Sequence, residues 1–207
     1  AVVGASGAVG EVILSILAER GHPANRTTAL ASERSAGDLV DYGNKQLIIE
    51  VLDDFDFSDV DYALFSAGGS VSKEHAPRAA EAGAVVIDNT SAFRYDDDIP
   101  LVVPEVNAHV MEDITTGAII ANPNCSTIQM VVALKPLHDE ARLKRVVVAT
   151  YQAISGSGAT AVAAFEAQEA AVVRGDEVDK TNLSGQLSRN LLMHWKPDPE
   201  TGYKEEE

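Results

Sequence analysis

The tetrapeptide Asn122-Pro123-Asn124-Cys125 carries the only cysteine in the chain. It lies between the apolar run Gly117 to Ala121, which reads as a buried strand, and a segment in which Ile128, Val131 and Val132 share one helical face. A cysteine at such a strand-to-helix turn sits beside amide hydrogens that the helix leaves unsatisfied. That setting favours thiolate over thiol and makes the sulfur a nucleophile. A space-filling cysteine more often lies within a strand or helix, packed like a small hydrophobe. Arg94 follows another strand end, Ala84 to Asp88. Its guanidinium could clamp a phosphate or carboxylate with two parallel hydrogen bonds. The competing reading makes Arg94 a salt-bridge partner of Asp96, Asp97 or Asp98.

Two further segments have the chemistry of an anion cradle. The opening Val3-Gly4-Ala5-Ser6-Gly7-Ala8-Val9-Gly10 spaces three glycines as G-x-x-G-x-x-G between a strand and a helix. That turn lets the backbone approach a pyrophosphate, which then rests on the helix amino end. A second short strand, Thr27 to Ala31, runs into Ser32-Glu33-Arg34-Ser35. Glu33 suits the ribose hydroxyls of NAD, whereas Ser32, Arg34 and Ser35 suit a 2′-phosphate. The three together favour NADP. The loop Ser155-Gly156-Ser157-Gly158 could touch an anion or a nicotinamide, or simply connect a strand to a helix.

The elements that must hold these residues alternate. Val9, Val12, Ile13, Ile16 and Leu17 follow the helical period up to Gly21; Val60 to Phe65 reads as a strand, Val71 to Ala82 as a helix and Ala84 to Asp88 as a strand. Such alternation implies right-handed crossovers and a parallel sheet covered on both faces. Past the cysteine helix, Arg145 to Gln152 is rich in β-branched residues and predicts a long strand, followed by an alanine-rich helix over Ala159 to Arg174. Beyond Gly175 the sequence becomes polar and irregular, with a short Leu191-Leu192-Met193 patch. The fold class expected is α/β: a Rossmann-type parallel sheet domain over residues 1–122, then the start of an α+β catalytic or dimerisation domain over 123–207.

Composition narrows the function. The 207 residues carry 32 Asp plus Glu against 16 Lys plus Arg, a net charge of −16, which disfavours nucleic-acid binding. A single cysteine excludes an internal disulfide framework, and no apolar run is long enough to cross a bilayer, so the expectation is a cytoplasmic protein without membrane contact. His22, His75, His109, His138 and His194 show no ligand spacing, and neither His-x-Glu nor Cys-x-x-Cys occurs, so no metal site is expected. A serine hydrolase elbow, G-x-S-x-G, is also missing.

Taken in order, these pieces resemble the aspartate-β-semialdehyde dehydrogenase family. The matching stretches are residues 3–10, 31–37, 65–70, 87–94, 103–107, 119–127 and 151–158, strong up to Gly158 and looser after it. The resemblance implies that Cys125 is the nucleophile, Gln152 orients the substrate, Arg94 binds its phosphate and Asn124 lines the same pocket. It places Gly4 and the stretch Ser6, Gly7, Ala8 and Val9 on the NADP pyrophosphate, Arg34 and Ser35 on the 2′-phosphate, and Ser155 and Gly156 near the nicotinamide. The activity implied is reversible reduction of L-aspartyl-4-phosphate to L-aspartate-4-semialdehyde through a cysteine thioester, with release of inorganic phosphate. This reaction serves lysine, threonine, methionine and diaminopimelate synthesis, and the family implies a homodimer.

Two other readings compete. N-acetyl-γ-glutamyl-phosphate reductase shares the thioester logic but typically carries Pro-Gly-Cys where Pro123-Asn124-Cys125 stands. A non-catalytic NADP-binding remnant is the other. Ala1-Val2-Val3 begins as the end of a strand, and Tyr203 to Glu207 stops within a charged run, so the chain reads as part of a longer one. The family's acid–base histidine, its substrate-clamping arginine and a further lysine are expected beyond Glu207. None of the five histidines present takes the catalytic role.

Overall fold

The structure is a computed structural model that describes residues 1–192; His194 and the charged run at 203–207 lie outside the described residues, as does Met193 of the leucine patch. It contains two compact units, residues 1–147 and 148–207.

The first unit is built on Val2–Val3 (β1), whose two side chains face opposite ways, as successive strand residues must. Val2 packs with Leu14 of the helix Ala8–Glu19 (α1) and with Ala29 and Ala31 of the strand Ala29–Ala31 (β2). Val3 packs on the other face with Phe65 of the strand Tyr62–Phe65 (β5), Ala76 and Ala79 of the helix Gly69–Glu81 (α2) and Val86 of the strand Val85–Asp88 (β6). Burial on both faces explains why β1 is apolar at consecutive positions rather than at alternate ones.

The described residues form a seven-stranded sheet completed by Leu39–Tyr42 (β3), Lys45–Val51 (β4) and Ala118–Ala121 (β7), in the order β3-β4-β2-β1-β5-β6-β7. All neighbours are parallel except β3 with β4. From β1 the chain winds outward through β2 on one side and through β5 on the other. The order therefore reverses between β1 and β5, and ligands of open α/β sheets bind at the carboxyl ends of the strands flanking such a point. The β3–β4 hairpin, closed by Gly43 at φ 62°, has no counterpart in the sequence reading. Its signal was the two-residue Gly43-Asn44 turn between alternating segments. After β6 come the short helix Pro104–Asn107 (α3) and β7, and then the helix Cys125–Ala141 (α4).

Arg145 to Gln152, expected as a strand, joins no β-ladder among the described residues, and this corrects the sequence reading. β-propensity describes fit to a pleated neighbour, and no described strand lies in ladder register with this stretch. Val147 is 81% and Tyr151 83% exposed in consequence.

In the second unit a short 3₁₀ turn, Ile154–Ser157, precedes the helix Ala159–Arg174 (α5), which Gly175 ends in the left-handed conformation. Gln168, only 2% exposed, organises the irregular chain after α5. Its Nε2 donates to the carbonyls of Asp179 and Gly185, and its Oε1 accepts from the amides of Leu187 and Ser188. Gln168→Leu leaves these main-chain groups without their partner and should cost about 3 kcal/mol. Faster hydrogen exchange at the Leu187 amide, with the amides of β5 unchanged, is the expected readout.

Candidate functional site

The glycine turn closes tightly on the strands that flank it. The Gly4 amide donates to the Leu30 carbonyl at 2.9 Å, which ties the turn to β2. Gly4 has φ +88°, and a Cβ there would lie 2.8 Å from the Ser66 carbonyl at the end of β5. A Cβ on Gly10 would lie 2.1 Å from the Gly4 carbonyl oxygen, so only glycine lets α1 settle this closely on β1. Gly7 precedes α1 without a side-chain cap, while Ala8 and Val9 open the helix. The Gly7 amide closes the turn on the Gly4 carbonyl at 3.0 Å, and the positive end of the α1 dipole lies at this turn. Ser6, Ala8 and Val9 are exposed there. Arg34 and Ser35 lie beyond β2 in the 3₁₀ turn Glu33–Ser35, with Arg34 exposed and Ser35 half-buried.

The ends of β6 and β7 assemble a second cluster. The Asn122 amide donates to the Asp88 carbonyl at 2.8 Å, and Asn122 Nδ2 donates to Asn89 Oδ1 at 2.6 Å. Across this junction Arg94 Nε donates to the Asn122 carbonyl at 2.9 Å, and a terminal nitrogen donates to the Asn89 carbonyl at 3.3 Å. Burial lowers the Arg94 guanidinium below its ordinary value, against opposing influences from Asp88, then Cys125 and Tyr95. Arg94 is therefore held in a partly desolvated place, with Cys125 near enough to act on it electrostatically. Both of these bonds reach main-chain carbonyls of the junction.

Cys125 is exposed and is the first residue of α4. Asn124, nearly buried, caps the helix through Oδ1, which accepts the Ser126 amide at 2.9 Å. Substituting such a cap typically costs about 1 kcal/mol. Gln129 Nε2 donates to the Cys125 carbonyl at 3.1 Å. The cysteine motif thus works as a unit: Asn122 locks to the neighbouring strand and Asn124 starts the helix, and between them they present the sulfur to solvent.

Gln152, Ser155 and Gly156 belong to the second unit and are exposed within it. Gln152 lies in the irregular stretch before α5, its Nε2 donating to Thr150 Oγ1 at 3.5 Å, and Ser155 and Gly156 belong to the 3₁₀ turn Ile154–Ser157. Among the histidines, His75 is buried and its Nδ1 lies 2.6 Å from Arg78, which explains it as a packing residue of α2. Among the described residues no group of three or more His, Cys, Asp or Glu could hold a metal ion. No described helix is long and apolar enough to cross a membrane.

Comparison with known proteins gives a consistent result. The model of the semialdehyde dehydrogenase NAD-binding domain matches residues 1–114, and that of the semialdehyde dehydrogenase dimerisation domain matches residues 134–207. The aspartate-semialdehyde dehydrogenase of Shewanella sp. (strain DB6705) is 50% identical over 206 residues, covering 100% of this chain and 61% of that protein. The crystal structure of aspartate semialdehyde dehydrogenase II from Vibrio cholerae, complexed with ASA, superposes with a TM-score of 0.89 at 45% identity. That match covers 98% of this chain and 60% of the other. The Candida albicans aspartate semialdehyde dehydrogenase with NADP matches at 26% identity with a TM-score of 0.57, over 69% of this chain and 47% of its own. The chain thus spans about 60% of the length of the curated relatives it matches.

Proposed function

The chain belongs to the semialdehyde dehydrogenase family, and on that premise we propose that the complete protein is a cytoplasmic, homodimeric aspartate-semialdehyde dehydrogenase dependent on NADP and phosphate. The observation that carries this reading is the junction of β6 and β7, where an exposed cysteine opens a helix beside a partly buried arginine held on main-chain carbonyls. The identity to aspartate-specific relatives favours that substrate over N-acetyl-γ-glutamyl phosphate. By function, the division falls at Asn122: cofactor binding before it, the catalytic and dimerisation part from Pro123 onward.

The residues fit a nicotinamide dinucleotide. A Cβ at Gly4 or Gly10 would fill the turn, whereas glycine leaves the backbone free to approach a pyrophosphate. Gly4, Ser6, Gly7, Ala8 and Val9 would hold the pyrophosphate, Arg34 and Ser35 the 2′-phosphate, and Ser155 and Gly156 the nicotinamide side. Bound there in reduced form, the cofactor supplies hydride to the acyl carbon.

The chain's own residues prepare that carbon. Arg94 binds the phosphate of L-aspartyl-4-phosphate, and Gln152 orients the acyl group. The Cys125 thiolate attacks the acyl carbon; a C–S bond forms, the C–O bond to phosphate breaks, and inorganic phosphate leaves with the electron pair. Amides at the start of α4 stabilise the oxyanion of this step and of the hemithioacetal that follows reduction. Collapse of the hemithioacetal releases the aldehyde and returns the thiolate. In the reverse direction phosphate cleaves the thioester.

The direct test is phosphate-dependent NADP reduction by the complete protein with L-aspartate-4-semialdehyde. Stronger turnover with N-acetyl-γ-glutamyl semialdehyde would transfer the assignment to the reductase reading. Arg34→Ala separately tests the cofactor assignment: losing a charge-assisted contact to the 2′-phosphate should weaken NADP by roughly tenfold or more and leave NAD within about twofold. Equal losses for both cofactors would remove Arg34 from the 2′-phosphate site.

A further inference from the structure

Asp88 ends β6 with a relative exposure of 0%, a position where an ionised carboxylate is costly unless it is fully hydrogen-bonded. It is well supplied. Ser72 Oγ of α2 donates to Oδ1 at 2.7 Å, Thr90 Oγ1 donates to Oδ2 at 2.7 Å, and the Thr90 amide approaches Oδ1 at 3.3 Å. Thr90 Oγ1 also accepts the Ala92 amide at 3.2 Å, so the carboxylate sets the path of the turn that ends in Arg94. One buried group thereby joins α2, the end of β6 and the arginine-bearing turn.

Resting on the reading of Arg94 as the phosphate ligand, we propose that Asp88 is a positioning residue for substrate phosphate, acting on Arg94 through the 89–94 turn and through the negative charge of its buried carboxylate. The carbonyls of Asn122 and Asn89 fix the guanidinium plane but contribute only dipoles. Asp88 adds a full charge, and it is the first of the influences that oppose the effect of burial on Arg94. The arginine is thus oriented before the anion arrives, so less ordering remains to be done on binding.

The test uses the complete protein, with inorganic phosphate as the probe and iodoacetamide alkylation of Cys125 as the readout. Phosphate bound at Arg94 should slow alkylation, and the half-protecting concentration reports its affinity. Asp88→Asn keeps the shape and removes the charge; it should raise that concentration about tenfold and raise the KM for phosphate in step, with NADP affinity within about twofold. Thr90→Val removes the donor to Oδ2 and should act in the same direction, by about threefold. If Asp88→Asn does not fold, Thr90→Val decides. Folded variants that protect Cys125 as the wild type does would overturn the positioning role alone. A purely structural role, also excluded by the proposal, would weaken phosphate and NADP together. A wild-type protein in which phosphate gives no protection would remove the Arg94 reading and this proposal with it.

Discussion

Cys125→Ala in the complete protein should lower turnover by roughly 10⁴-fold or more, the scale expected when a covalent nucleophile is removed. NADP affinity should stay within a few-fold, because the cofactor turn is built from β1, α1 and β2 rather than from α4. The fold should be equally indifferent: Cys125 is exposed, so alanine leaves no cavity, and Asn124 still caps the helix through the Ser126 amide. Steady-state kinetics with both substrates, beside a binding titration with NADP, checks all three statements. Retention of most of the activity would sink the thioester mechanism and leave the protein as a cofactor-binding module.

Gly10→Ala should have the next largest effect, on a different link of the chain from sequence to function. The added methyl carbon would meet the Gly4 carbonyl oxygen at 2.1 Å and the Ala5 Cα at 2.8 Å. All of these are main-chain atoms at the tightest part of the turn, so none can swing aside. Relief requires α1 to lift off β1 by more than an ångström, which breaks the packing of Leu14 against Val2. We expect a loss of about 3 kcal/mol, measured as a lower urea midpoint. Cofactor affinity should fall further than stability alone explains, because the lifted helix carries with it the turn proposed to hold the pyrophosphate. Gly69→Ala is the matched control: it also sits at a helix start, and its Cβ would meet nothing within 4 Å. A Gly10→Ala protein with wild-type stability and NADP affinity would show that the close approach is not needed.

Legibility in the sequence followed the range of the interactions. The first helix, the glycine turn, α5 and the cysteine at the head of α4 were all readable, because period, capping and turn chemistry act over a few residues. β2, β5, β6 and β7 were readable in kind but came out shorter, since pairing with neighbours decides their ends, and β4, which pairs in parallel with β2, was missed. Arg145 to Gln152 shows the converse: strong β-propensity without a neighbouring strand gives no strand. Asp88 was legible only as the last residue of a strand. The role proposed for it depends on Ser72, 16 residues earlier, and on the fold that brings the two into hydrogen bond. Asn89 and Asn122, 33 residues apart, were missed as a pair for the same reason. The shape of the site, unlike its residue types, is a product of long-range contact.

The bare stretch from Val146 to Tyr151 also shapes how the 207-residue chain behaves in solution. Five of its six residues are β-branched or aromatic and none is charged, which makes it a template for pairing with another copy of itself. Arg142, Lys144 and Arg145 stand immediately before it as cationic gatekeepers. Over longer distances the net charge of −16 keeps copies apart, but that repulsion reaches only about 8 Å at physiological ionic strength. The expected consequence is salt-dependent self-association, with light scattering rising as added salt screens the net charge.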